Sequence, residues 1–492
     1  MNLTRREFVK DSLVTLGFLA LPGGLFAAPA GWKPKGRPNL VVGILSDTHL
    51  QSGWDGVKPH DGFPLTYVTN AMKLFSDRNI DAFMHLGDAA HRGKNVEIQY
   101  HRDIFEKFFP HGKAKDGHKV EKLLVVGNHE LYGNVAAGAG AWAPHIWKDP
   151  VERAKHVLCG DLPKHWEQVW GEKYEEVWHK EVKGYHFFGR HWHEDEYKHA
   201  GEKPFADYIL SKADQFSLRG TKPFFILSHR RHHAAFCQAL KDFPNAIALF
   251  GHWHWSNADW KTIFFDADTF GGRFPNIQVG ACRMDGGNAV TPSSEVKLPE
   301  DSSSWKGDNL PSRQAMIINI YDDMVVFERH EVGKGGKLGP DWMLPLGEFK
   351  PHPFSRDELK KTIGEPEFGK KAKLVVAKGT QATKATKGTK KGDSVASVPS
   401  LKIKIPMADG NPDSRVYAYE IVVVGDDPKA KLFKNAFFEG ANAGIGHEPN
   451  HGVTEVEIPV SELPPGKKLA IDVSPCSSLG TKGKAIATTW RV

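Results

Sequence analysis

The sequence predicts an α/β fold with a functional rim at the carboxyl ends of its strands, followed by a small all-β sandwich. Three observations predict this. Five apolar runs each stop abruptly at Asp, Asn or His: Val41–Leu45 before Ser46-Asp47-Thr48-His49, Ala82–Gly87 before Asp88, Leu123–Gly127 before Asn128-His129-Glu130, Phe224–Ser228 before His229, and Ala246–Gly251 before His252-Trp253-His254. Helical periodicity separates the first three runs. From about residue 366 the chain reads as short strands with no helical stretch between them.

Residues 1–30 come first. Thr4-Arg5-Arg6-Glu7-Phe8-Val9-Lys10 precedes an apolar segment from Leu13 to Phe26 and then Ala27-Ala28-Pro29-Ala30. A charged head, a short apolar middle and small residues for cleavage make a signal peptide, and the paired arginines before Phe8 resemble a bacterial twin-arginine export signal. A membrane anchor needs about 20 apolar residues, and Pro22-Gly23-Gly24 interrupts this run. The expected location is periplasmic or otherwise extracytoplasmic, with no transmembrane segment in the mature form. Cleavage removes three positive and two negative charges and takes the formal charge from +6 to +5. So mild a basic balance suits anionic substrates and lacks the clustered basic stripes of a nucleic-acid binder. The 492 residues leave room for two or three domains, and 40% hydrophobic with 25% charged residues is an ordinary soluble composition. Cys159, Cys237, Cys282 and Cys476 are too scattered for a disulfide framework and read as buried thiols.

The first three runs form successive β-α units. Val68, Ala71, Met72 and Phe75 follow the first at helical spacing, and Tyr100, Ile104, Phe105 and Phe108 follow the second. Asp47, Asp88 and Asn128 are 41 and 40 residues apart, more than the ~30 residues a βαβ unit needs. Residues 131–222, rich in Gly, Trp and His, break this rhythm and read as an insertion plus helices over one rim of the site, with Tyr185–Gly189 as a strand. Their His186, His191, His193 and Glu194, like the later His232-His233, read as solvated or mutually paired side chains; Arg230, next to His229, could reach an anion. Segments 277–280, 315–320 and 324–329 then read as strands of a second sheet packed on the first, and Thr291–Asp308 as a surface loop.

The tail, 366–492, is expected to hold strands at 373–376, 401–405, 415–424, 453–460, 468–473 and 486–492, an antiparallel sandwich similar to fibronectin type III modules. Gly379–Gly392, rich in Lys and Thr with no carboxylate, reads as a flexible basic loop.

The rim carries carboxylate, amide oxygen and imidazole but no thiolate, the donor set of a hard or borderline cation. Open α/β sheets bind ligands just beyond the carboxyl ends of their strands. Two ions ~3.5–4 Å apart can clamp the attacking and leaving oxygens of a phosphoryl transfer. Taken in order, Asp-x-His, Gly-Asp, Gly-Asn-His-Glu, His and Gly-His-x-His, from Asp47 to His254, resemble the calcineurin-like metallophosphoesterase superfamily. The resemblance implies a two-sheet αββα sandwich over residues 31–350 and two divalent or trivalent transition-metal cofactors (Mn, Fe or Zn). One ion would be held by Asp47, His49 and His254 and the other by Asn128, His229 and His252, with Asp88 bridging. A metal-bound hydroxide would hydrolyse a phosphoester, His129 would protonate the leaving oxygen, and Asn128, His129 and Arg92 would contact the phosphate.

Gly87-Asp88-Ala89-Ala90-His91-Arg92-Gly93 resembles the protein Ser/Thr phosphatase segment, with Arg92 at its phosphate-contacting arginine. His91, however, stands where that group has an Asp that orients the catalytic histidine and where purple acid phosphatases have an iron-bound Tyr. The alternatives are a phosphodiesterase or 5′-nucleotidase type, or a non-catalytic surface protein that binds polyanions. The substrate and the oligomeric state are not legible.

Overall fold

The structure, a computed structural model, describes residues 33–52, 63–91, 93–132, 162–192, 201–254, 257, 260–265, 274–282, 313–333, 335–347, 352–382, 397–408, 416–437, 453–477 and 479–491. The signal segment, Arg92, Cys159, His193, Glu194 and the Thr291–Asp308 loop lie outside the described residues.

β1 (Leu40–Leu45), α1 (Phe63–Asp77), β2 (Ala82–Leu86), α2 (Asn95–Phe108) and β3 (Glu121–Val125) form the expected β-α units, with β1, β2 and β3 parallel in sequence order. After α3 (Asn128–Tyr132) and α4 (Leu162–Trp170) come β4 (Val177–Val182), β5 (Tyr185–Arg190), α5 (Glu202–Lys212), β6 (Phe224–Leu227), α6 (Ala234–Ala239), β7 (Ala246–Phe250), β8 (Ile263–Phe264) and β9 (Asn276–Gln278). Strands β4 to β9 make a second six-stranded sheet in the order β4-β5-β6-β7-β9-β8. Residues 131–222 are thus no mere insertion, because β5 lies inside this sheet, parallel to β6. Its side chains dictate that position. Phe187 stacks on Phe225 at 4.9 Å on one face, while Phe188 packs with the α5 residue Phe205 on the other, so both faces must be covered.

The placement of the next strands also departs from expectation. β10 (Gln314–Ile320), β11 (Met324–Glu331) and β12 (Trp342–Pro345) join the first sheet, in the order β12-β11-β10-β1-β2-β3. β10 runs antiparallel along the free edge of β1, from Leu40 opposite Ile320 to Ile44 opposite Met316. Every residue of β10 is buried, so it belongs inside a sheet, and β1 offers the edge.

The two sheets face each other across one core that joins Val42, Ile44, Met84 and Val125 to Phe225, Leu227, Leu249 and Ile277. Helices α1, α2 and α4 cover the outside of the first sheet and α5 and α6 that of the second, an αββα arrangement of two sheets. This core runs past residue 350. Phe354, together with Leu359 and Ile363 of α7 (Arg356–Ile363), belongs to it, as does Leu479 from the tail.

The tail holds β13 (Val375–Ala382), β14 (Ser397–Pro406), β15 (Val416–Val424), β16 (Lys431–Phe437), β17 (Val453–Pro459), β18 (Lys468–Ser477) and β19 (Ile486–Arg491). They form two antiparallel sheets, β13-β14-β17 and β16-β15-β18-β19, around Leu401, Ile403, Tyr419, Ile421, Ile458 and Ile471. β16 has no counterpart among the expected strands; of its described side chains, Leu432 packs against the core and Phe433 is exposed. Gly379 to Ala382, expected to begin the basic loop, continue β13, and 383–396 lie outside the described residues. Cys237, Cys282 and Cys476 are buried free thiols. No described helix is long and apolar enough to cross a membrane.

Candidate metal centre

The five ligand-bearing strands come from both sheets, β1, β2 and β3 from one and β6 and β7 from the other, and their carboxyl ends share one rim. The backbone there is unusual. Asp47, His49, Asp88, His252 and His254 have φ of 49°, 44°, 55°, 72° and 54°, the left-handed region that costs a non-glycine residue on the order of 1–3 kcal/mol where it is not over-determined. Hydrogen bonds between the ligand turns over-determine it. Asp47 N–H donates to Gly87 O at 3.0 Å, His49 N–H to Asp88 O at 2.9 Å, and His252 N–H to Asp47 Oδ2 at 2.9 Å. Close approach explains the glycine before Asp88. Gly87 has φ +91°, and a Cβ there would run into the His229 ring, so a side chain would displace a ligand.

Two clusters of donor atoms share the Asp88 carboxylate. In the first, Asp47, His49, Asp88 and His254 bring one ligand atom each within 4.8 Å of the others. His254 Nε2 lies 3.1 Å from Asp47 Oδ1 and 3.2 Å from His49 Nε2. The second contains Asp88, His229 and His252, and Asn128 completes it. Asn128 Oδ1 is 3.1 Å from both His229 Nε2 and His252 Nδ1, while His229 Nε2 is 3.2 Å from Asp88 Oδ2.

The chemistry of these contacts asks for positive charge. His229 Nδ1 lies 2.6 Å from the Leu86 carbonyl oxygen, so it carries the proton and the neutral ring turns an Nε2 lone pair toward Asn128 Oδ1 and Asp88 Oδ2. Acceptors then face acceptors in a buried place, which only a proton or a cation can satisfy. Burial works against charge on His229, but Asp88, Asp47 and the Leu86 carbonyl outweigh it and push the imidazole up to about 10. Its neighbour His252 is held down to about 4 by burial and by His229. The polypeptide by itself therefore draws a proton onto His229. A borderline cation with imidazole, amide and carboxylate donors fits the same atoms.

His129 sits beside these clusters, its Nε2 3.9 Å from Asp88 Oδ2 and its ring centroid 4.5 Å from that of His49. Its Nδ1–H donates to the main-chain carbonyl of His91 at 2.6 Å. The orientation expected from an acidic side chain at position 91 thus comes from the backbone of that residue. The His91 ring stacks on His129 at 5.6 Å, and one of its nitrogens lies with those of His49 and His129. Arg92, expected to contact phosphate, is outside the described residues.

Three residues not among the expected site residues support the centre. Glu130, fully buried, accepts the N–H groups of Asp88, Ala90 and Gly127 at 3.0, 2.7 and 2.7 Å and so ties the second ligand turn to the third. Its place as the acid after Asn128-His129 was the signal. His191 and Trp192 follow β5, and His191 is buried rather than solvated. Nothing local in sequence marks them. His186 and His232 pair with protein neighbours: His186 bonds to His179 at 3.0 Å, and His232 bonds to Ser228 Oγ at 3.1 Å and stacks on Phe236 at 3.9 Å.

Residues 40–256 match the family model described as calcineurin-like phosphoesterase. No curated protein matches the chain in sequence. Among solved structures, a dimetal phosphatase from Danio rerio is 11% identical with a TM-score of 0.33, covering 63% of this chain and 100% of its own. A purple acid phosphatase from yellow lupin (Lupinus luteus) seeds is 14% identical with a TM-score of 0.36, covering 63% and 55%. A putative 5′-nucleotidase from Staphylococcus aureus is 9% identical with a TM-score of 0.28, covering 91% and 89%.

Proposed function

Because residues 40–256 belong to the calcineurin-like phosphoesterase family, we propose that this chain hydrolyses a phosphoester with two transition-metal cations. One is held by Asp47, His49 and His254, the other by Asn128, His229 and His252, and Asp88 is shared between them. The observation that carries this reading is the acceptor-to-acceptor packing at His229, whose Nε2 faces Asp88 Oδ2 at 3.2 Å and Asn128 Oδ1 at 3.1 Å while its Nδ1–H is spent on Leu86 O. When bound, the ions supply charge to neutralise the phosphoryl oxygens and lower the pKa of water from 15.7 toward about 7.

The remaining work falls to the chain. Asp88, anchored through its own N–H to Glu130, holds the two halves in register. His129 keeps its Nδ1 proton on the His91 carbonyl, so proton exchange with the leaving oxygen takes place at Nε2. That geometry supports His129 as the general acid, a role worth about 10²–10⁴-fold for a poor leaving group. Asn128 and Arg92 are assigned to the phosphoryl oxygens. Residues 1–30 are assigned to twin-arginine export, which a reporter fusion tests: Arg5→Lys with Arg6→Lys should keep the reporter in the cytoplasm.

The activity is tested by stripping the protein of metal, reconstituting it with Mn, Fe or Zn, and assaying aryl and alkyl mono- and diesters. About two ions per chain and turnover that Asp88→Asn removes are expected. A stoichiometry of one under saturating metal, or Asp88→Asn turnover within tenfold of wild type, would overturn the assignment.

A further inference from the structure

We propose that the dipeptide His191-Trp192 is the positioning element of one half of the centre, the half made by Asn128, His229 and His252, and sets that half's affinity for its cation. The inference rests on the two-cation reading above and adds residues that lie outside the family's ligand motifs.

The argument begins with the edge of the first sheet. β3 is the last strand on that side, so beyond it the main chain of Val126, two residues before Asn128, has no strand to pair with. His191 and Trp192, leaving β5 of the opposite sheet, satisfy both of its polar groups: Trp192 N–H donates to Val126 O at 2.9 Å, and Val126 N–H donates to His191 Nδ1 at 3.1 Å. His191 is fixed in turn by its own N–H on Glu176 O at 2.9 Å and by rings of Tyr174 and Trp166 at 4.5 and 5.6 Å. Burial pushes its imidazole down to about 3, so Nδ1 stays an acceptor at every working pH. A two-residue splice therefore joins the two sheets at the root of the Asn128 turn.

The second contribution is the Trp192 side chain. Its indole is 7% exposed and packs 5.2 Å from the His252 ring and 5.6 Å from the His229 ring. These imidazoles stand edge to face at 5.0 Å with His252 Nδ1 3.3 Å from His229 Nε2. His229 is also held by its Nδ1–H on Leu86 O, whereas the ring neighbours of His252 among the described residues are this indole and His229 itself. Without the indole, His252 would regain rotamers that ligation must remove. The other half differs, since among the described residues the ring contacts of His49 are His91, His129 and His254. One dipeptide thus supports one half selectively.

The test is a titration of the chelator-stripped full-length protein with Zn²⁺, read as affinity per step by competition with a chromophoric chelator. Wild type should bind two ions. Trp192→Ala should weaken one step by about 10–100-fold, the usual cost of losing groups that orient a ligand, and leave the other within about threefold. Trp192→Phe should restore most of the loss, which a general loosening of the fold would not predict. Combined with His252→Ala, Trp192→Ala should add nothing; combined with His254→Ala, it should weaken the remaining step. Trp192→Leu, which keeps apolar bulk, provides a folded variant if Ala does not fold, and it too should lose at least about tenfold. Two wild-type steps with unchanged affinities in Trp192→Leu or Trp192→Ala would overturn the inference while leaving two-cation hydrolysis intact. A wild type that never takes up a second ion would overturn both.

Discussion

His101 offers a perturbation whose size follows from its surroundings. It lies on α2 behind the centre, fully buried, between Phe83 at 5.8 Å, His85 at 4.6 Å and Trp170 at 6.0 Å. Neither ring nitrogen has a hydrogen-bond partner among the described residues. Burial pushes its pKa from 6.5 down to about 3. A base depressed in the folded state binds more protons when unfolded, so stability is full above about pH 6.5 and falls as the pH drops toward 3. At pH 5 the loss is about 1.5 pH units at 1.36 kcal/mol each, or ~2 kcal/mol. His101→Phe removes this linkage. At pH 7.5 its effect is the difference between relieved polar burial, ~1–3 kcal/mol, and overpacking of similar size. Those terms are the same at pH 5 and cancel in the difference. Urea unfolding of both proteins with chelator present, so that metal binding does not contribute, should show the variant gaining ~2 kcal/mol more at pH 5 than at pH 7.5. A gain equal at the two pH values within about 0.5 kcal/mol would mean that His101 takes up its proton in the folded state and that its burial is overstated.

Other outcomes follow from the site. His129→Ala should slow an alkyl phosphoester by ~10²–10⁴-fold and a nitrophenyl ester much less; equal losses on both would remove His129 from acid catalysis. His91→Ala should keep that leaving-group contrast, because the bond to His129 Nδ1 comes from the main chain, and a pH–kcat/KM profile on both esters decides this. Gly87→Ala should cost metal binding as well as turnover, since its Cβ meets His229; metal content retained at two ions per chain would show that the turn can yield. Leu479→Ala should destabilise the αββα unit by about 2–5 kcal/mol, because Leu479 is buried in that unit's core, and a tail-only effect in thermal unfolding would contradict the shared packing.

The candidate donor set, which the structure brings together at one rim, was legible because each candidate stands directly after an apolar run. Five such runs in order, ending in Asp, Asn and His, specify a donor chemistry before any coordinate is known. The helix behind the first strand was equally legible from Val68, Ala71, Met72 and Phe75, all of which are buried. Sheet membership was not. Runs such as Met316-Ile317-Ile318, apolar on both faces, announce that a strand is covered but not by which neighbour, and only closure of the β1 edge put β10 there. The supporting contacts were hidden for the same reason. His191 and Trp192 lie more than 60 residues from Val126 in the chain, and their role exists only because two sheets meet at one seam. At His91 the side chain drew the sequence argument, whereas its carbonyl holds His129. A main-chain oxygen is present in every residue, so its use is decided by tertiary geometry alone.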